Sequence, residues 1–144
     1  VIFCGTQDVV LDAMTCDQLD TTSYNATRIE PFEASNRYGM AATYQRTSDG
    51  IKAYFTGGTN FDEQEVGTVN IVTMKTNTSS VAQWSRGQDM TEIAGVPRKF
   101  HTATWVDAPL NGIVVMGGRV DDIVVQPLAP VAVYDASNAT WITV

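Results

Sequence analysis

Residues 98–118 read RKFHTATWVDAPLNGIVVMGG, and residues 37–58 read RYGMAATYQRTSDGIKAYFTGG. Each stretch opens on an arginine, turns through a polar corner containing glycine, and closes on a diglycine. A tryptophan follows each of them, Trp84 after the first and Trp141 after the second. The matching positions lie 61, 60 and 57 residues apart (98 − 37, 117 − 57 and 141 − 84). Self-similarity at this period signals stacked supersecondary units, not one undivided core.

The second copy is the cleaner. Residues 100–106 are a β-rich run, and Asn111-Gly112 is a hairpin signal because both residues tolerate positive φ. Residues 113–116 are apolar throughout, which predicts a strand buried on both faces. Gly117-Gly118 ends it, and residues 131–134 and 140–144 supply a third and a fourth strand. The first copy repeats this order over 40–45, 51–56, 69–74 and a strand beginning at Val81. A partial copy precedes both: residues 1–6 match the second strand, Leu19-Asp20 matches Tyr134-Asp135, and Tyr24 stands near the tryptophan position.

Four short strands per unit of about 50 residues, with a diglycine ending the second, mark a propeller blade. The pattern resembles the kelch repeat, with Arg37 and Arg98, the diglycines, Tyr134-Asp135 and Trp141 at kelch positions. The absence of a Trp-Asp dipeptide argues against the WD40 pattern. The expected fold is all-β: a partial kelch-type β-propeller, with a partial blade over 1–30 and four-stranded blades over 31–90 and 91–144. Trp84, Tyr134 and Trp141 are expected to pack blade on blade, and Ala41, Ala42 and Ala103 suit a crowded inner strand. A closed ring takes roughly 4–8 blades of about 50 residues, or at least about 200 in all. The chain has 144 and starts at Val1, so a slice of a longer protein or a self-assembling protomer is expected.

Composition excludes several functions. A net charge of −7 repels phosphate backbones and anionic lipid, so no nucleic-acid partner is expected. No apolar run reaches the length of a membrane span. Three sequons, at Asn25, Asn77 and Asn138, predict covalent N-glycans on exposed turns. The only two cysteines, Cys4 and Cys16, would staple a short loop if bridged, stabilising by about 3 kcal/mol. Sequons and cysteines together point to the secretory route and an extracellular or cell-surface place.

The resemblance extends to secreted galactose and glyoxal oxidases, copper radical enzymes on such propellers with a cysteine–tyrosine cofactor and two histidine ligands. This chain has a single histidine, His101, and one imidazole does not make that site. No nucleophile–base set assembles either, and neither diglycine is followed by the Lys-Ser/Thr of a phosphate loop. No catalytic residue, metal or cofactor is therefore assigned. Two features are left for binding. Arg37 and Arg98 would ring the central opening and face an acidic ligand, or else tie blade to blade. Asp62, Glu63, Glu65, Asp121 and Asp122 follow the diglycines and would form an acidic loop face, either recognising a basic partner or standing solvated. The reading is a non-catalytic extracellular binding or structural module whose partner is a protein, a glycan or its own copies. The alternative is a non-catalytic portion of a copper radical oxidase.

Overall fold

The computed structural model describes residues 2–6, 14–29, 37–60, 66–75, 82–89, 98–119 and 131–143. All regular structure within them is β. The first sheet holds β1 (Ile2–Thr6), β2 (Met14–Leu19) and β3 (Ala26–Ile29). The second holds β4 (Ala41–Thr47), β5 (Gly50–Thr56), β6 (Thr68–Lys75) and β7 (Gln83–Asp89). The third holds β8 (Thr102–Val106), β9 (Gly112–Met116), β10 (Val131–Asp135) and β11 (Thr140–Thr143). Strand order follows the chain in each sheet, and every pairing is antiparallel. The architecture is two complete four-stranded blades and a partial one, a partial propeller-like stack.

The two-residue periodicity of a strand gives the middle sheet two apolar faces. Tyr54, Val69 and Ile71 belong to a cluster with Ile113, Val115, Ala132, Tyr134 and Trp141 of the third sheet. Phe55, Val72 and Met74, one residue out of phase, belong to a second cluster with Cys16 and Ile29 of the first sheet. Each fully buried side chain of this size contributes about 1.5–3 kcal/mol. The core is thus two seams, one on each side of the middle sheet.

Repeated backbone details confirm the register of the units. Tyr38 and Thr59 exchange main-chain hydrogen bonds of 3.0 and 2.9 Å, and Lys99 and Arg119 do the same at 3.0 and 2.9 Å. The Asp20 carboxylate accepts from Thr22 N at 2.8 Å, and Asp135 accepts from Ser137 N at 2.8 Å. Leu19-Asp20 and Tyr134-Asp135 therefore end equivalent strands with equivalent Asx turns.

Several expectations need correction. Met40 and Phe100 precede their strands, and the fourth strand of the middle sheet starts at Gln83, not Val81. Phe100 has a φ of 55°, matching Gly39 at 67°, so the chain turns there instead of extending. The run 113–116 is not buried throughout: Ile113 and Val115 are sealed in the seam, whereas Met116 is 53% exposed. Tyr24 is not an outer-strand packing residue; it has a φ of 58° and is 80% exposed in the turn between β2 and β3.

Candidate functional site

The seam between the second and third sheets is closed by polar interlocks. The Thr56 hydroxyl lies 2.8 Å from His101 Nε2, in a buried position. Trp105 N donates to Thr43 Oγ1 at 2.9 Å, Gly58 N to the Arg98 carbonyl at 2.9 Å, and Phe100 N to the Gly39 carbonyl at 2.6 Å. At the outer edge, Trp141 donates from N to Gln88 Oε1 and from Nε1 to the Gln88 carbonyl, both at 3.0 Å.

Two glycines make that fit possible. Gly57 has a φ of 61°, and a Cβ there would run into the Arg98 carbonyl and the His101 ring. Gly87 sits where β7 slips register against β6, as Thr68 faces Asp89 but Asn70 faces Arg86. Such a bulge redirects the strand. A Cβ on Gly87 would meet the Tyr134 hydroxyl, so the bulge is the socket for the third sheet's tyrosine.

The blade-packing residues all lie in seams. Trp84 tilts against Phe55 at 5.8 Å, and Tyr134 meets Trp141 edge to face at 5.3 Å. The two arginines are buried and bonded to main-chain carbonyls. Arg37 is 3% exposed and donates to the Gly57 carbonyl, the Thr68 carbonyl and Thr68 Oγ1 at 3.3, 2.9 and 2.8 Å. Arg98 is fully buried and donates to the Gly117 carbonyl at 3.2 Å. Both guanidiniums bind carbonyls of their own sheet, because a buried fork of donors must find acceptors nearby. Burial pulls Arg37 down to about 10, helped by Arg86 and opposed by Asp89, and burial also lowers Arg98.

Asn25 and Asn138 are exposed, each in the connection before the last strand of its sheet, β3 and β11. Asn77 falls between β6 and β7, outside the described residues, as do Asp62, Glu63, Glu65, Asp121 and Asp122. Cys4 and Cys16 are directly opposed partners on β1 and β2, and Cys16 is fully buried. Cys16 thus lies inside β2. Among the described residues no cysteine is free, and no cluster of three or more His, Cys, Asp or Glu could hold a metal ion. No helix among them is long and apolar enough to cross a membrane.

One feature escaped the sequence reading. An open groove of about 500 Å³ runs between β4 and β8, lined by Thr43, Tyr44, Arg46, Thr104, Trp105 and Asp107. Its walls come from the inner strands of two successive sheets. No sequence signal marks it, because Tyr44 and Trp105 are 61 residues apart.

His101, the single histidine, is buried in the seam. Burial and the neighbouring Arg98 charge push it down to about 4, with hydrogen bonding to the Arg98 and Thr56 backbone opposing the shift. Its Nε2 lies 2.8 Å from the Thr56 hydroxyl.

No protein-family model and no curated protein matches the chain. Among solved structures it is similar to a fungal alcohol oxidase of the AA5 family, determined in complex with copper. The TM-score is 0.61 at 16% identity, over 92% of this chain and only 27% of that one. A likeness at that identity is one of fold: this chain shares an all-β sheet arrangement with part of that oxidase.

Proposed function

We propose that the chain is a non-catalytic propeller segment of an extracellular or cell-surface protein, acting as a binding or structural module through its blade faces and loops. One comparison carries the reading. Gly117 repeats the left-handed turn of Gly57, with a φ of 69° against 61°. Yet among the described residues nothing lies within 4 Å of where its Cβ would be, while Gly57 is closed over by Arg98 and His101. Met116 and Ile142, 53% and 45% exposed, lie on that same side of the third sheet. The last sheet is thus shaped like the middle one but has a face still to be covered. Sedimentation of the chain with and without Met116→Lys and Ile142→Lys tests this. Association that both charges abolish supports coverage by a second copy; a chain monomeric at all concentrations leaves a different protein partner as the occupant.

The extracellular setting draws support from the sequons and from the opposed cysteines. N-glycans at Asn25 and Asn138 would lie in the connections before the last strands of the first and third sheets, and Asn77 falls between β6 and β7. A Cys4–Cys16 bridge would tie β1 to β2. Intact mass before and after glycosidase and reductant reads both, and an unmodified mass from a secreting host overturns the placement.

A second reading, a non-catalytic portion of a copper radical oxidase, is favoured by the structural neighbour. Copper titration of the longer protein, followed by peroxide release from a primary alcohol, decides between the two.

A further inference from the structure

We propose that the groove between β4 and β8 binds a neutral saccharide. It stands whether the longer protein is a module or an oxidase, because it concerns binding alone. The groove's volume of about 500 Å³ falls within the roughly 300–1,000 Å³ of small-molecule sites. Its two walls are locked together: Trp105 N donates to Thr43 Oγ1 across the seam. The Trp105 indole is held in place as well, stacked on Tyr54 at 5.4 Å and 14° and donating to Asp107 Oδ1 at 2.8 Å. A site so fixed loses little freedom on binding.

The lining selects the ligand class. Tyr44 is 55% exposed and flanks the groove with Trp105, giving two aromatic side chains beside one opening. Aromatic faces take up the C–H faces of a pyranose ring while leaving its rim to hydrogen bonds. Arg46 contributes donors, Asp107 contributes acceptors and the Thr104 hydroxyl contributes both. Among the described residues neither Arg46 nor Asp107 enters an ion pair, and the Asp107 carboxylate can accept further bonds beside the one from Trp105 Nε1. Their charges cancel, which disfavours an ionic ligand. A donor and an acceptor of opposite charge suit adjacent hydroxyls, which give and receive.

The test is ligand-observed saturation-transfer NMR on the enzymatically deglycosylated chain. The probes are methyl β-D-glucopyranoside, methyl α-D-mannopyranoside and cellotriose. At least one should bind with a Kd of about 1 mM, and Tyr44→Ala should weaken it about tenfold. Arg46→Gln and Asp107→Asn should weaken it too. Tyr24→Ala, which removes the most exposed aromatic among the described residues, should leave it unchanged. Trp105 is left intact because it packs in the seam. Each variant's thermal unfolding is measured alongside, so that loss of binding is separated from loss of fold. The proposal is overturned if no probe shows transfer, if folded Tyr44→Ala binds like the parent, or if Tyr24→Ala weakens binding equally.

Discussion

Lowering the pH should open the seam at His101. The imidazole is held at about 4, against an ordinary 6.5, by burial and by Arg98. Between those values the unfolded chain takes up a proton that the folded chain refuses. Stability from this group is therefore complete above about pH 6.5 and falls as the pH drops towards about 4, levelling below it. At about 1.4 kcal/mol per unit, the gap amounts to about 3 kcal/mol. Carboxylates titrate over part of the same range, so the parent is compared with His101→Gln, which keeps an amide near Thr56 but has nothing to protonate. Urea unfolding from about pH 7 to about pH 4 should show the parent losing about 3 kcal/mol more than the variant. NMR can follow the imidazole directly, as the chain has a single histidine. Parallel stability curves, or an imidazole titrating at its ordinary value in the folded chain, would refute the reasoning.

Five single substitutions and one double variant probe the rest of the packing by denaturant unfolding. Gly87→Ala should cost about 1–3 kcal/mol by driving a methyl into the Tyr134 hydroxyl. Tyr134→Phe, whose lost hydroxyl has no hydrogen-bond partner among the described residues, should be close to neutral and should recover part of that cost in the double variant. Gly57→Ala and Gly117→Ala should both carry about 1–2 kcal/mol of left-handed strain, but only the former adds a collision; equal losses would contradict the difference between their surroundings. Arg37→Lys should cost about 2 kcal/mol or more, because an ammonium cannot reproduce two guanidinium nitrogens bonded to Gly57 and Thr68; a change near zero would show that the fork is dispensable.

The all-β stack was legible because its signals are local and repeated. Glycine pairs, Asn111-Gly112 and the aromatic spacing each act within a few residues, and their recurrence fixes the register of one blade against the next. Tyr24 misled because it was placed by counting from its neighbours, whereas its φ of 58° belongs to a turn. Arg37 and Arg98 were left open between a ligand and a tie within the fold, because a sequence does not reveal which carbonyls lie within reach of a guanidinium. The groove was invisible for the same cause. Tyr44 and Trp105 are 61 residues apart in the chain, and only the seam brings their strands together.

The buried hydroxyl–imidazole contact also says something about how such a chain can grow. Counting 60 positions on from Thr56 reaches Met116, whose thioether is a weak acceptor and no donor. A duplicate of the third sheet laid over itself would bring a buried imidazole against sulfur and strand it without its partner. Neighbouring blades are therefore keyed like unequal teeth on a gear. Whatever covers the last sheet has to be cut to its own profile, and the units cannot be shuffled without loss.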